Sequence, residues 1–377
     1  MDVVKLSIAY AWNPDNTVAL RTETDYTVSP ARVVETAFEH DHRKRLARET
    51  RVLGGQTPET LYDMEYTYDQ LGNRLTMSDG VRDLLVEYTY DVQLDPEEPS
   101  AWPGYPGDVY PTRNNRLLEY RVSVDSQLVR TVRYTYWNTG DVSNITIADA
   151  AEPDARYDLA LYYGRNMGPL WLAVWGRYEV EDGEVVENSY QVTAAREFRY
   201  GADRRARYWV RDLTAPDGTS DPAEWMAAAT RWTDYAGVDP YLDSDAGLDG
   251  SGDPVLSGTA RYFGGVGHQT LSSGSVTAMR YWHADLIGST SMLTDEYGAV
   301  VGDGGSAASL SYSAFGEVLD SGGAPGGEAP AGWPRYQYAG AHGYEAAGGG
   351  GQAGAPVGLT LAGSPYSSLP AVTLSHV

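Results

Sequence analysis

His283 and Asp285 stand two residues apart, so on a strand their side chains share a face. Such a pair can serve as general acid and base, or as half of a metal site. His283 follows Tyr281 and Trp282, and the expectation is a hydrogen-bonded structural role. His40 and His42 have the same spacing, but Asp41, Arg43, Lys44 and Arg45 around them mark a solvated stretch. The acidic segment Asp239 to Asp253 is the best candidate site. Asp243, Asp245 and Asp249 match positions one, three and seven of a calcium loop. Position five is Gly247, position six is Leu248 instead of Gly, and position twelve is Pro254 instead of a bidentate Glu. An acidic, flexible loop between strands is therefore expected.

Paired carboxylates beside aromatic rings also suit glycoside hydrolysis. With 52 acidic residues chance neighbours abound, and nothing fixes one pair at a defined separation. There is no Gly-x-Ser-x-Gly and no phosphate loop, and Gly264-Gly265-Val266-Gly267 reads as a turn. No catalytic, metal-binding or cofactor-binding residue is assigned.

The elements that would position these residues follow from composition. The chain has 377 residues, 42% hydrophobic and 21% charged, enough to bury a sizeable core. Its net charge of -24 argues against nucleic acid or anionic lipid as the main partner. Cysteine is absent, which excludes disulfides and thiolate metal sites. No apolar run approaches the ~18 residues of a membrane-spanning helix. Met1 to Asn16 turns polar too soon for a signal peptide. Tyrosine stands at 29 against 4 Phe, and glycine at 42. That mixture reads as β-sheet with many turns.

Tyr-x-Tyr recurs at Tyr66–Tyr68, Tyr88–Tyr90, Tyr134–Tyr136 and Tyr336–Tyr338. Around it the sequence alternates, with Leu118, Tyr120, Val122 and Val124 on one face and Glu119, Arg121, Ser123 and Asp125 on the other. A period of two means half-buried strands. In Tyr68-Asp69-Gln70-Leu71-Gly72-Asn73-Arg74, Asp69 can accept from the N–H groups ahead of it. Gly72 supplies positive φ, and Asn73 tolerates it. A second hairpin spans Tyr178 to Tyr190 and turns on Asp182-Gly183. Tyrosine offers a ring that stacks and a hydroxyl that stays wet, which suits a thin curved sheet with one face lining a moist interior. Asp221-Pro222-Ala223-Glu224 carries N-terminal helix signals and predicts a short helix over Trp225 to Arg231. Residues 322–335 and 346–370 read as low-complexity linker.

Tyr68-Asp69-x-x-Gly72-Asn73-Arg74 resembles the YD repeat of Rhs and teneurin-type proteins. Further copies are Tyr90-Asp91 (continued after an insertion by Asn115-Arg116-Leu117), Tyr134 to Gly140, and Tyr200 to Arg205. Tyr281-Trp282-His283-Ala284-Asp285-Leu286-Ile287-Gly288-Ser289-Thr290 is similar to the Rhs-repeat-associated core. Leu293-Thr294-Asp295, Tyr297-Gly298, Tyr312 to Leu319 and Arg335 to Gly340 follow in the order of that core. The resemblance implies an all-β fold, an antiparallel YD-repeat strip spiralling into a hollow and here incomplete shell. It implies a shell segment over residues 1–270, a core segment over 271–345 and a Gly/Ala/Pro/Ser-rich tail over 346–377. In bacterial members the shell encloses a variable C-terminal toxin, freed by an aspartate-dependent self-cleavage. After Gly340 this chain lacks the Arg-rich and Asp-Pro motifs of that step, so no catalytic residue is carried over and a truncated shell protein is expected. Tyr68, Asp69, Gly72, Tyr281, Asp285, Gly288, Tyr312, Phe315 and Gly316 are expected to set strands and turns. The implied function is a secreted or cell-surface scaffold, not an enzyme, that houses or presents a cargo polypeptide or meets a cell-surface partner. The rival reading is a secreted carbohydrate-active or carbohydrate-binding β-protein.

Overall fold

The computed structural model describes residues 5–91, 116–164, 168–200, 209–214, 226–236, 239–248, 254–301, 309–312 and 318–319. Phe315, Gly316, Asp249, residues 201–208, 221–225 and everything beyond 319 lie outside them. The described chain is all β. The first ten strands are β1 Leu6–Trp12, β2 Val18–Asp25, β3 Arg32–His40, β4 Leu46–Leu53, β5 Glu59–Tyr68, β6 Arg74–Asp79, β7 Leu84–Tyr90, β8 Leu117–Val124, β9 Gln127–Tyr136 and β10 Val142–Asp149. They continue as β11 Ala155–Tyr163, β12 Leu170–Glu181, β13 Glu184–Val185, β14 Gln191–Arg199, β15 Trp209–Thr214 and β16 Met226–Ala236. Then come β17 Asp239–Leu248, β18 Pro254–Phe263, β19 Gly267–Ser272, β20 Ser275–Ala284, β21 Thr290–Thr294, β22 Ser311–Tyr312 and β23 Val318–Leu319.

Successive strands pair antiparallel from β1 to β21, with the short β13 beside β12, and the pairings do not close into a barrel. Two expectations fail here. The helix over Trp225 to Arg231 is absent, because Met226–Ala236 pairs with strands on both sides. Ladder hydrogen bonds outweigh the helix preference of an alanine-rich stretch. The acidic segment is not a flexible loop over its described part. Asp239–Leu248 is strand β17, held between β16 and β18.

One hairpin design recurs. The paired residues Trp12 and Val18, His40 and Leu46, Tyr68 and Arg74, Tyr136 and Val142, and Ala284 and Thr290 each flank a five-residue loop. Thr294 and Val300 do the same. In each loop the fourth residue has positive φ: Asn16, Lys44, Gly72, Gly140, Gly288 and Gly298. The first residue's N–H donates to the fifth residue's C=O, and the fourth donates back to the first. Where the first residue is Asp, its carboxylate accepts further N–H groups. Asp69 Oδ1 takes Leu71, Gly72 and Asn73 at 2.9, 2.8 and 2.8 Å. Desolvation opposes ionisation of Asp69, yet Asn73 and the three amides hold its carboxyl below the usual range. Asn73 itself keeps ordinary φ, so Gly72 alone carries the left-handed step.

The strip bends where each hairpin returns. Register shifts fall between Ala11 and Trp12, Glu39 and His40, Thr67 and Tyr68, Thr89 and Tyr90, and His283 and Ala284. Such bulges kink and twist the strand that carries them. Further shifts fall towards the opposite strand ends, between Arg51 and Val52, Val122 and Ser123, and Thr270 and Leu271, so bulges recur along both edges of the strip. Tyr90 pairs with Leu117, and Asp91 N–H reaches Arg116 C=O at 2.7 Å, so the same turn site accommodates the long insertion.

The second tyrosine of Tyr66–Tyr68 and of Tyr134–Tyr136 locks one hairpin to the one before. The Arg45 guanidinium lies 4.6 Å from the Tyr68 ring centre, and Tyr68 O–H donates to Leu46 C=O at 2.7 Å. Arg116 lies 5.1 Å from the Tyr136 ring, whose hydroxyl reaches Leu117 C=O at 2.6 Å. A cation over a ring stabilises by roughly 0.5–1 kcal/mol at partly exposed sites. This contact explains why Arg-Leu follows the turn and why tyrosine, not phenylalanine, ends the strand. Inside the curl, Tyr88, Tyr120 and Tyr134 form a chain of rings 5.9 and 6.4 Å apart. Tyr62, Met64, Val86, Val122 and Val132 are fully buried there. The inner face of β5 to β12 is thus a packed core, not the moist lining expected.

Gly72→Val isolates the turn. An added Cβ at Gly72 meets nothing within 4 Å, so any cost comes from φ +99° alone. A loss of more than ~1 kcal/mol in chemical denaturation is expected. An unchanged midpoint would remove the turn from the account of the fold.

Candidate functional site

A row of buried polar side chains crosses the inner face of the first five strands. Tyr10 pairs with Arg21, Arg21 with Thr36, Thr36 with Arg51, and Arg51 with Tyr62. Two carboxylates join them, Glu23 on β2 and Glu49 on β4. Arg51 is 4% exposed. Its Nη2 donates to Glu23 Oε2 at 2.6 Å and to Ser311 Oγ at 2.9 Å, and its Nη1 donates to Thr36 Oγ1 at 3.0 Å. Ser311 O–H donates back to Glu23 Oε2 at 3.1 Å. Arg21 is in a close ion pair with the other oxygen of Glu23, and Tyr62 O–H donates to Glu49.

The site joins the two ends of the strip. Ser311 lies in β22, far along the chain from Glu23 and Arg51. Tyr312 beside it is buried, and its hydroxyl donates to Thr290 C=O at 2.8 Å. Leu319 of β23 packs into the core formed by β5 to β12. Leu286 N–H, in the β20–β21 turn, points at the Tyr10 hydroxyl at 3.4 Å. The curl therefore returns the last described strands onto the first hairpins, and Ser311 is the latch.

The chemistry of the latch is holding. Burial opposes ionisation of Glu23, but Arg51 and Arg21 outweigh it and keep the carboxyl below its usual range. Such a carboxylate is a poor base, so Ser311 is oriented but not activated as a nucleophile. Burial, with Glu49 beside it, pushes the Tyr62 hydroxyl well up, so it stays a donor at every physiological pH.

A second buried polar group supports the far end. Asp243 accepts from Thr233 O–H at 2.7 Å and Tyr262 O–H at 2.8 Å. Trp282 Nε1–H donates to His268 Nδ1 at 2.9 Å, which fixes His268 as an acceptor on that side. Tyr262, His268 and Trp282 form a triangle of rings 6.0–6.2 Å apart, packed with Leu293, Leu310 and Tyr312. Burial, then Arg280, pushes the His268 imidazole down to about 4.

The candidates from the sequence are dispersed. His283 Nε2 lies 2.9 Å from Thr294 Oγ1, while Asp285 Oδ1 accepts Ile287 and Ser289 N–H at 3.1 and 2.8 Å. Each has its own structural partner. His40 ends β3 and His42 sits in the following turn. Asp243 and Asp245 lie on β17, with Asp243 already committed to two hydroxyls. Among the described residues, no group of three His, Cys, Asp or Glu is placed to hold a metal ion. Gly265 has positive φ in the β18–β19 turn, as its sequence context suggests. An open cleft over β5 to β8 is lined by Asp63, Glu65, Asp79, Asp83 and Asp125. Asp63 is gripped there by Arg48 at 2.8 and 2.6 Å, which with Thr50 holds its carboxyl low. A glycosidase acid needs the opposite shift. The latch residues were missed because Arg21, Glu23, Glu49 and Arg51 sit in alternating charged strands that read as solvent-facing.

No protein-family model and no curated protein matches the chain. Solved structures do. A chain of the TcdB2-TccC3-TEV structure matches with TM-score 0.28 and 13% identity, over 85% of this chain and 19% of that one. Chains of TcdB2-TccC3 and TcdB2-TccC3-Cdc42 match with TM-score 0.27 and 12% identity, over 89% of this chain and 22% and 21% of theirs. The chain thus spans about a fifth of the length of the solved chains it matches. Agreement this loose transfers neither shape nor activity. No described helix is long and apolar enough to cross a membrane.

Two outcomes test the site. Glu23→Gln strands two buried guanidiniums and should cost on the order of 3–5 kcal/mol in chemical denaturation. A loss below ~1 kcal/mol would mean the row is solvated. The second outcome follows pH. His268 has a folded pKa of about 4 against 6.5 unfolded, so the unfolded state binds the extra proton between those values. Its contribution is complete above pH 6.5 and falls as pH drops towards 4, by about 3 kcal/mol. Denaturation midpoints across that window should fall less steeply in His268→Gln.

Proposed function

We propose that this chain is a structural wall segment of an Rhs-type shell, and that it houses or presents a C-terminal cargo polypeptide. The carrying observation is the Ser311 latch. A strip whose late strands lock onto its first hairpins through a buried ion row closes on itself, as a shell wall must. The Tyr-Asp turns and the order of the core motifs support the family reading. The carboxylates that stand out are committed to arginines, hydroxyls or turn amides, which supports a structural role and not turnover. We take the site of action to be outside the cell or on its surface, as in the family it resembles.

The test uses an unstructured reporter peptide fused after Val377 and a dilute protease. Retarded cleavage relative to the free reporter is expected, and cleavage at the free rate overturns enclosure. A glycan panel, with and without calcium, addresses the rival. Turnover abolished by mutating one defined carboxylate pair would replace the wall with an enzyme.

A further inference from the structure

The two edges of the long sheet are treated differently. At the late edge, β21 is covered by its own chain. Met292 pairs with Ser309 and Thr294 with Val300, and Val301 N–H and Leu310 N–H donate to Leu293 and Ser291 C=O at 2.9 and 2.8 Å. At the early edge, β1 pairs with β2 and with no other described strand. Edge strands are usually guarded by charge, proline, a bulge or a covering segment, because their free N–H and C=O groups template pairing. β1 reads Leu-Ser-Ile-Ala-Tyr-Ala-Trp. Among the described strands of seven or more residues, it alone contains no Asp, Glu, Lys or Arg. In a chain of net charge -24, the long-sheet edge without a second described partner is also the neutral one.

We propose that β1 is a homodimerisation edge, on which a second copy of this chain adds its own β1 antiparallel about a two-fold axis at Ala9. The pairing is self-complementary. Ile8 faces Tyr10 of the second copy, Leu6 faces Trp12, and Ser7 faces Ala11. Leu6, Ile8, Tyr10 and Trp12 share one face, so aromatic residues meet aliphatic ones across the seam, a favourable cross-strand combination. The small side chains Ser7, Ala9 and Ala11 share the other. Trp12 is 54% exposed, and Leu286 and Ile287, exposed in the turn that touches Tyr10, extend the apolar rim. A two-fold contact uses the same patch twice, and an uncharged strand does so without setting like charges opposite one another.

Sedimentation of the full chain reads the proposal directly. A mass of about twice 41.0 kDa is expected, rising towards full dimer as salt screens the net negative charge. Ala9 is exposed, so Ala9→Lys leaves the fold intact and sets two like charges face to face at the axis. Ala9→Lys and Ala9→Glu are each expected to be monomeric, and an equal mixture of the two is expected to pair again. A monomeric wild type overturns the proposal, whether the edge is free or taken by another segment. A dimer untouched by Ala9→Lys places the contact elsewhere, and variants that stay apart when mixed overturn the Ala9-centred register.

Discussion

Everything in this fold leans on a five-residue turn that one backbone geometry closes and one carboxylate can cap. Its first residue exchanges backbone hydrogen bonds with the fourth and fifth, and its fourth sits at positive φ. The turn sets the register at its own end of the hairpin, and the register shift beside it sets the bend. A single turn of this kind bends one hairpin. Repeated at Asn13, Asp41, Asp69, Trp137 and Asp285, on the same edge of the strip, it adds up to a curl.

The tyrosine contacts make the curl specific. A bulged hairpin can meet its neighbour at several angles. The ring of Tyr68 on Arg45, with its hydroxyl on Leu46 C=O, admits one. The same pair of contacts at Tyr136, Arg116 and Leu117 shows that the unit is two strands long and refers back to the hairpin before it. The repeat thus describes an interface as well as a strand, and phenylalanine could supply only half of it.

Much of this was legible. Asp69 to Gly72 and Asp285 to Gly288 announce their turns, and Asp182-Gly183 its hairpin, because glycine and aspartate are the residues such backbones select. Asn16 and Lys44 hold the same left-handed position without glycine, and Trp137 opens the same loop without a carboxylate. The pattern was hidden there because backbone hydrogen bonds suffice to close the turn. Asp221-Pro222-Ala223-Glu224 misled because such residues favour a helix start in isolation, while two flanking strands offer Met226 to Arg231 a ladder on either side. The latch was illegible for a different reason. Alternation assigns a charged residue to the wet face, and the strands carrying Arg21, Glu23, Glu49 and Arg51 turn that face inward. Only the return of Ser311 from the far end of the chain makes the burial necessary.

That leaves the question of why this strip buries ions at all. Apolar side chains of similar volume often stabilise as well as a buried ion pair. Period-two strands, however, tolerate a slip of two residues, because every apolar side chain stays on the same face. A purely apolar inner face would leave the pairing of β2, β3, β4 and β5 with several near-equal solutions. Arg21, Thr36, Arg51 and Tyr62 stand in one cross-strand row, and a slip of two between β3 and β4 would set Arg51 opposite Val34 or Phe38 in place of Thr36, with the loss of its hydrogen bond to the Thr36 hydroxyl. A lost hydrogen bond to a buried charge costs on the order of 1.5–3 kcal/mol. The buried row is therefore best understood as a register mark: it adds little net stability and makes a slipped pairing of the first strands expensive.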